Sequence, residues 1–322
     1  MTIETETTAE HDASPGAKIV VITTGGTIAC TTDRDGVLLP TVSGPELLEP
    51  VAQRFDNAQL ALEVRELNRL DSAAMTLADT DAIIAAIHDA LDDPEVTGVV
   101  VTHGTDSMEE TAIAVDTFHD DPRPVIFTGA QRSFDHPESD GISNLFESIV
   151  IAMDASARGI GVLIVFGHAV IPARGATKWH TSDNLAFATN GPEEPTRAEP
   201  LAPTALADVT VDIIAAYPGA PRTLVDAALE HGADGLVIEA MGAGNVGREL
   251  AIAVGEALDT GTPVVITTRV PRGDVHGSYG GAGGGATLLQ KGAIGSHYFR
   301  APQARMLLAV AIATGAHPAT LF

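Results

Sequence analysis

The chain has 322 residues, of which 43 are acidic and 18 are basic, so its formal net charge at pH 7 is −25. This excess of negative charge argues against a nucleic-acid backbone or an anionic membrane surface as the main partner. The length predicts about two domains, and the single cysteine, Cys30, excludes an internal disulfide and a cysteine-based metal cage.

The first half of the chain alternates between strand-like and helical patterns. Residues 1–17 are polar and acidic, so they predict a disordered tail without a secretory signal. Apolar, β-branched runs follow at Lys18–Thr23, Val96–Thr102, Pro124–Thr128 and Gly161–Phe166, with helical patterns at Leu77–Leu91, Glu109–Phe118 and Gly141–Ala157. We interpret the longest apolar stretch, Gly159–Ile171, as one buried strand. Continuous apolar runs are typical of parallel strands buried on both faces.

The alternation stops once and then resumes. Residues 190–209 hold four prolines and show no helical or strand period, so they predict an interdomain linker. Strands are then predicted at Val211–Ala216, Gly235–Ala240 and Pro263–Thr268, with helices at Pro221–His231, Gly247–Leu258 and Pro302–Thr314. The predicted fold class is α/β, with a larger N-terminal doubly wound sheet domain (18–189) and a smaller C-terminal α/β domain (210–322).

Composition also bears on the cellular setting. No run of about 18 uncharged apolar residues occurs, so we expect no membrane span and a cytoplasmic protein. Only three residues are lysine, against fifteen arginines. Acid-rich, lysine-poor chains are typical of halophilic proteins, in which high salt screens the repulsion between surface carboxylates.

The polar residues after the predicted strands are the candidates for chemistry, because ligands bind at the carboxyl ends of strands in open α/β sheets. Thr27 follows the first strand, and Thr105 and Asp106 follow the strand that ends at Thr102. A threonine hydroxyl needs a nearby base to act as a nucleophile. Lysine can serve when its environment favours the neutral amine, and the scarcity of lysine draws attention to Lys178. Taken singly, threonines and aspartates in such turns are more often turn formers or helix caps.

Two of these segments resemble signatures of the L-asparaginase/glutaminase family. Thr24-Gly25-Gly26-Thr27-Ile28-Ala29 is similar to the first signature, and the segment Val101–Ala112 (VTHGTDSMEETA) is similar to the second nearly residue for residue. Further short matches follow in the family's order, so the resemblance covers about residues 18–322. They are Gly129–Arg132, Ser139–Gly141, Thr177-Lys178, Gly244-Asn245 and Ala304-Arg305.

The resemblance implies roles for individual residues. Thr27 matches the primary nucleophile, and Thr105, Asp106 and Lys178 match a second catalytic triad, in which Asp106 also binds the substrate's α-ammonium group. Ser72 matches the residue that binds the substrate α-carboxylate. The resemblance implies no metal and no organic cofactor. Which threonine forms the covalent intermediate stays open.

The chain departs from the family pattern in two places. The loop 31–42 lacks the tyrosine that many members carry there, and Tyr279 is a distant candidate to replace it. No acidic residue follows Asp274, so the C-terminal glutamate of some branches is absent. Recognition of the ammonium group would then rest on Asp106, helped by Asn245 from a partner subunit. These departures leave the preference for asparagine or glutamine open.

The sequence therefore predicts an L-asparagine amidohydrolase, and the resemblance implies that it assembles as a homodimer or homotetramer. The alternatives are a glutaminase-asparaginase and the amidohydrolase subunit of a tRNA-dependent amidotransferase, against which the short segment before the first strand argues. A non-enzymatic alternative is an amino-acid-binding sensor, which the presence of both threonines and the lysine disfavours. We expect His103 to be a packed histidine rather than a catalytic base. Ser139-Asp140-Gly141 could position the neighbouring loop or cap the next helix, and we favour the cap.

Overall fold

The computed structural model describes residues 16–55 and 60–322. The predicted disordered tail of residues 1–17 lies outside the described residues, except for Gly16 and for Ala17, which begins the first strand. The elements of the N-terminal part are, in chain order, β1 (Ala17–Gly25), β2 (Thr31–Thr32), β3 (Leu38–Leu39), α1 (Gly44–Ala52), β4 (Leu60–Leu70), α2 (Leu77–Leu91), β5 (Val96–Thr102), α3 (Met108–Phe118), β6 (Val125–Thr128), α4 (Gly141–Met153), β7 (Val162–Phe166), β8 (Ala169–Pro172), β9 (Ala176–Lys178) and β10 (Phe187–Thr189). Those of the C-terminal part are β11 (Val211–Ala215), α5 (Thr223–Glu230), β12 (Gly235–Ala240), α6 (Arg248–Asp259), β13 (Val264–Thr268), α7 (Gly285–Gln290), β14 (Ile294–Gly295) and α8 (Ala301–Thr314).

The large sheet has the strand order β4-β1-β5-β6-β7-β8 and is parallel except for β8, which runs antiparallel to β7. Alternate residues of β1 enter two different cores. Val20 and Ile22 pack with α2 and α3 on one face, whereas Ile19 and Val21 pack with α1 and α4 on the other. Helices therefore cover both faces, which confirms the predicted doubly wound domain.

The stretch Gly159–Ile171 is not one strand, as the sequence suggested, but contains a hairpin. The chain turns at Gly167 and His168 and returns as β8, which pairs with β7 from Phe166–Ala169 to Leu163–Pro172. Both turn residues have positive φ, 57° and 65°, as a two-residue hairpin with a primed turn requires. Positive φ is uncommon for residues other than glycine, so the apolar run concealed the turn.

The predicted helix Gly141–Ala157 ends earlier, at Met153. The Asp154 side chain accepts a hydrogen bond from the backbone N–H of Ser156, which starts a separate 3₁₀ turn at Ala155–Ala157. Short polar side chains compete in this way for the backbone donors that a continuing helix would use.

Residues 190–209 contain no helix or strand but are packed against the N-terminal part. Arg197 Nε lies 3.0 Å from Asp116 Oδ1, and the Leu206 backbone N–H donates to the Asp81 carboxylate at 2.9 Å. The Leu206 side chain is buried. The proposed boundaries at 18–189, 190–209 and 210–322 stay predictions.

The second sheet is parallel, with the order β11-β12-β13-β14. Helix α8 packs against β11, β12 and β13 and also against α3 of the first part. Val211, Val237 and Val265 of the second sheet thus share one continuous core with the first. The smaller C-terminal α/β domain is therefore present, and α3 and α8 lie between the two sheets. None of the helices in the described part of the chain is long and apolar enough to cross a membrane.

Strands β1 and β5 are the switch point of the large sheet. They are neighbours, with Thr23 beside Thr102, but the chain leaves β1 toward β4 and leaves β5 toward β6. Their following turns meet at Gly26 and Gly104, where a Cβ built on Gly26 would lie 2.5 Å from the Gly104 Cα. Gly26 also has φ 78° and ψ 177°, a conformation essentially restricted to glycine. Only two glycine backbones can approach this closely.

Replacement of Gly26 by alanine is therefore expected to destabilise the fold by at least about 2 kcal/mol, since it adds a backbone clash to the strain of positive φ. Gly36 is the matched control, because it has φ 81° with nothing within 4 Å of a built Cβ. Gly36→Ala should cost only about 1 kcal/mol. Equilibrium urea unfolding of the two variants checks the difference, and equal losses would show that the contact carries no stability.

Candidate active site

Five of the six predicted site residues lie in loops at the carboxyl edge of the large sheet or on the neighbouring hairpin. Thr27 begins a 3₁₀ turn directly after β1, Ser72 follows β4, and Thr105 and Asp106 follow β5. Lys178 ends β9 and pairs with Phe187 of β10. The Gly26 backbone N–H donates to Leu70 O at 3.1 Å, so the turn after β1 is joined to the end of β4.

Lys178 forms the centre of the polar cluster. Its Nζ lies 2.8 Å from Thr105 Oγ1 and 2.5 Å from Asp106 Oδ1. The Lys178 side chain is 21% exposed, whereas that of Asp106 is 57% exposed. An amine at hydrogen-bonding distance from a hydroxyl is the arrangement in which a base activates a nucleophile. The exposed Asp106 carboxylate retains room for a cationic group of a ligand.

Ser72 connects the loop after β4 to the same cluster. Its hydroxyl accepts a hydrogen bond from the Asp106 backbone N–H at 3.2 Å, and its carbonyl accepts one from Ser107 Oγ at 2.7 Å. Ser72 is only 3% exposed. These contacts hold the start of the turn before α3 against the loop after β4.

Thr27 approaches the cluster through its backbone. It follows Gly26, which contacts Gly104, and Gly104 immediately precedes Thr105. Thr27 is half-buried. The loop beyond it is anchored on the segment after β6, since Thr32 N–H donates to Asp135 Oδ2 at 2.9 Å and Phe134 N–H donates to Cys30 O at 2.8 Å.

Asn245 is not brought together with the other five. It lies after β12 in the C-terminal part, where its Oδ1 accepts a hydrogen bond from Gly285 N–H at 3.1 Å. Its backbone forms a bridge with Met241. Tyr279 also belongs to the C-terminal part and is 64% exposed.

His103 is a buried, neutral histidine. Its Nδ1 lies 2.7 Å from Gly104 O and its ring centroid 5.9 Å from that of Phe127. Since a carbonyl can only accept, Nδ1 carries the proton. Burial lowers the pKa of His103 to about 4, so the ring stays neutral at physiological pH. This agrees with the expectation of a packed histidine.

The sequence suggested that Ser139-Asp140-Gly141 caps α4, but the Asp140 carboxylate does not do so. Although Asp140 precedes the helix, its side chain makes no capping hydrogen bond. It accepts from the backbone N–H groups of Gln131 and Arg132 at 2.9–3.1 Å. Gln131 Nε2 in turn donates to Asp183 O at 3.1 Å, just beyond Lys178. Asp140 therefore positions the turn after β6, the alternative role for this motif.

Two residues that sequence reasoning missed bear on the cluster. Glu109, in the first turn of α3, accepts a hydrogen bond from the Lys178 backbone N–H. Gln303, on α8, contacts the segment before Lys178. Glu109 could have been noticed as a carboxylate on a helix that is otherwise mostly apolar, but Gln303 has no local signal.

Among the described residues, no three or more His, Cys, Asp or Glu side chains are grouped as a metal site requires.

Two protein-family models match the chain: "Asparaginase, N-terminal" over residues 18–200 and "Glutaminase/Asparaginase C-terminal domain" over residues 210–321. The chain belongs to the asparaginase family. It is 32% identical to an L-asparaginase from Bacillus licheniformis, over 92% of this chain and 96% of that protein. It is 35% identical to a probable L-asparaginase from Deinococcus radiodurans, over 93% and 94%.

Two further similarities concern the alternatives and the fold of this asparaginase-family chain. A component of the glutamyl-tRNA(Gln) amidotransferase from Methanopyrus kandleri is 30% identical, over 80% of this chain and 62% of that protein. The crystal structure of a probable cytoplasmic L-asparaginase from Campylobacter jejuni superposes with a TM-score of 0.82 at 25% identity, covering 95% of this chain and 98% of the other. The two-domain α/β architecture is therefore that of an asparaginase, and the family makes the chain a hydrolase of amides.

The depressed pKa of His103 makes stability depend on pH. The unfolded chain binds a proton here below about pH 6.5, while the folded chain does so only near pH 4, so stability falls as the pH drops between these values. This residue alone should cost about 3 kcal/mol by pH 4. Urea unfolding between pH 7 and 4 should therefore be less steeply pH-dependent in His103→Gln than in wild type.

Exposed His231 provides the control for that measurement. His231→Gln should retain the wild-type pH dependence. A His103→Gln profile parallel to that of wild type would contradict a neutral, buried His103.

Proposed function

We propose that the protein hydrolyses L-asparagine to L-aspartate and ammonia through a threonine nucleophile. The contact of Lys178 Nζ with Thr105 Oγ1 and Asp106 Oδ1, at the switch point of the sheet, is the observation that carries the proposal. The asparaginase relatives support the reaction class.

In the proposed reaction a threonine Oγ attacks the carbon of the side-chain amide. The hydroxyl proton passes to a base, and the amide oxygen becomes an oxyanion, which backbone N–H groups of the glycine-rich turns stabilise. The intermediate then breaks its carbon–nitrogen bond, and the leaving nitrogen takes up a proton to depart as ammonia. Water hydrolyses the resulting β-aspartyl ester and restores the threonine.

The side chains divide the work between chemistry and recognition. Lys178 is the base for Thr105, and Asp106 orients the lysine and pairs with the substrate α-ammonium group. Ser72 binds the α-carboxylate. Thr27, which matches the family's primary nucleophile, is the other candidate, and mass spectrometry of a trapped acyl-enzyme would assign the ester to Thr27 or Thr105.

We also propose that the protein works in the cytoplasm at high salt. The net charge of −25 and the three lysines support a salt-adapted surface. The Campylobacter jejuni protein with the same fold is itself described as cytoplasmic.

Loss of either threonine or of the lysine amine should lower turnover by about a thousandfold or more, because each removes a group that acts on the reacting atoms. The variants are Thr27→Ala, Thr105→Ala and Lys178→Met, with Thr260→Ala, at the end of α6, as the control that keeps activity. Ammonia release from asparagine in molar salt is the measurement. Near-normal turnover in a variant would remove that residue from the mechanism.

The same assay separates the alternatives. Equal rates with asparagine and glutamine would identify a glutaminase-asparaginase. Ammonia release that depends on aminoacyl-tRNA and a partner protein would identify an amidotransferase component. Binding of asparagine without hydrolysis of any amide would identify a sensor and overturn the proposal that the protein is an enzyme.

We further propose that the protein is a homodimer or homotetramer in which Asn245 completes the site of a neighbouring protomer. Within the described part of the chain, its hydrogen bonds to Gly285 and Met241 hold it in the C-terminal part, which is consistent with that role. Light scattering in molar salt measures the assembly, and an active monomer would exclude the shared site.

Mixing of two variants tests the sharing directly. Lys178→Met should be inactive, and Asn245→Ala should bind asparagine more weakly. In a mixed oligomer, protomers that retain Lys178 receive an intact Asn245 from their neighbour, so substrate affinity should return at those sites. No recovery on mixing would place the role of Asn245 within its own protomer or remove it.

A further inference from the structure

The main chain at Lys178 is held by a buried carboxylate that takes no part in the proposed chemistry. Lys178 N–H donates to Glu109 Oε2 at 2.5 Å, and the Thr177 side chain is also hydrogen-bonded to the Glu109 carboxylate. Glu109 is only 6% exposed. The first turn of α3 and strand β9 are thereby joined through one side chain.

A second buried side chain, from the C-terminal part, holds the first turn of α3 and the residues just before β9. Gln303 of α8 accepts a hydrogen bond from Gly175 N–H at 2.9 Å through Oε1. Its Nε2 donates to Ala173 O at 2.6 Å and to Glu109 O at 3.1 Å. Gln303 is 1% exposed, so its amide is used on both sides within the protein.

We propose that Glu109 and Gln303 form a positioning clamp that fixes the backbone of residues 173–178 and so sets the reach of the Lys178 amine toward Thr105. The clamp rests on the proposed function, in which Lys178 is the base. Glu109 and Gln303 are positioning residues, since they act on the main chain rather than on the reacting atoms. The C-terminal domain thus contributes to the site of its own protomer.

The geometry explains why such a clamp matters. Lys178 stands on a strand of three residues, and its long side chain must place Nζ at 2.8 Å from one oxygen and 2.5 Å from another. A shift of about 1 Å in a catalytic group can cost about a hundredfold in rate. A buried carboxylate is also an expensive way to obtain stability alone, which favours a positioning role.

The clamp has a distinctive dependence on pH. Burial is the main cause that raises the pKa of Glu109 to about 7, and the hydrogen bonds from Lys178 N–H and Thr177 oppose it. The charged groups that bear on Glu109 are Lys178 on β9 and Glu110 on α3 itself, with Arg305 of α8 paired to Glu110. The ionised carboxylate accepts both hydrogen bonds, so kcat/KM should rise with pH through about 7.

The test compares Glu109→Met and Glu109→Gln with the neighbouring control Glu110→Gln. Methionine keeps the length but removes both acceptors, so kcat should fall about a hundredfold with little change in KM. Glutamine keeps one acceptor and should recover most of that loss, while the rise in kcat/KM near pH 7 should vanish. Glu110→Gln makes the same charge change one residue away. It should keep the wild-type value of kcat at pH values above the inflection.

Thr177→Val is the second variant, in case Glu109→Met fails to fold. It is isosteric and removes only the hydroxyl that lowers the pKa of Glu109. The inflection in kcat/KM should therefore move to higher pH, a shift that a merely structural role would not produce. Gln303→Met should lower kcat, as Glu109→Met does. It should move the inflection in kcat/KM less than Thr177→Val does.

The outcomes separate the clamp from the proposed function. If wild type releases no ammonia from any amide, the function itself is wrong and the clamp falls with it. If wild type is active and the inflection persists unchanged in Glu109→Gln, the clamp alone is overturned. A rise in KM with unchanged kcat in the Glu109 variants would also overturn it, since that pattern indicates a binding role.

Discussion

The site depends on the parallel pairing of β1 with β5 at the switch point of the sheet. Thr23 lies beside Thr102, so both strands end at the same level and their turns must occupy the same space. Gly26 makes that possible, since a Cβ on it would lie 2.5 Å from the Gly104 backbone, and Gly104 lacks the Cβ that would clash with Ser72. The turns that carry Thr27 and Thr105 are consequently in contact, although 78 residues separate the two threonines in the sequence.

The sequence predicted what depends on local pattern and missed what depends on distant pairing. The apolar runs at Val96–Thr102 and Gly235–Ala240 match the observed strands, because buried parallel strands need such runs. Strand β4 was missed because its sequence, Leu60–Leu70, mixes charged and apolar residues, as befits an edge strand with one exposed side. The hairpin at His168 was missed because the apolar run continues through its turn, and positive φ is uncommon for residues other than glycine.

The same division applies to the candidate site. Thr27, Thr105 and Asp106 are marked by glycine-rich turns after strands, and Lys178 by the scarcity of lysine. The contact of Lys178 with Thr105 could not be derived locally, since it depends on the β9–β10 hairpin folding back over α3. The role of Asp140 was misjudged for a similar reason: the position before a helix predicts a cap, but the backbone donors of the turn after β6 lie closer to its carboxylate.

The acidic residues that are buried differ from the many others in the sequence, because each buried one has hydrogen-bond or ion-pair partners. The sequence holds 43 acidic residues, and none of them follows Asp274. Buried acids are few and each has donors: Asp116 faces Arg197, and Glu109 faces the main chain of Lys178. A carboxylate that is kept out of water needs such partners, so its burial identifies the segments that it holds.

Helix α8 contributes to this interior by packing between the two sheets, where Gln303 reaches both α3 and the chain before Lys178. In the proposed clamp the C-terminal domain is part of the support of the site, because the lysine stands on a strand of only three residues and Gln303 fixes the chain before it.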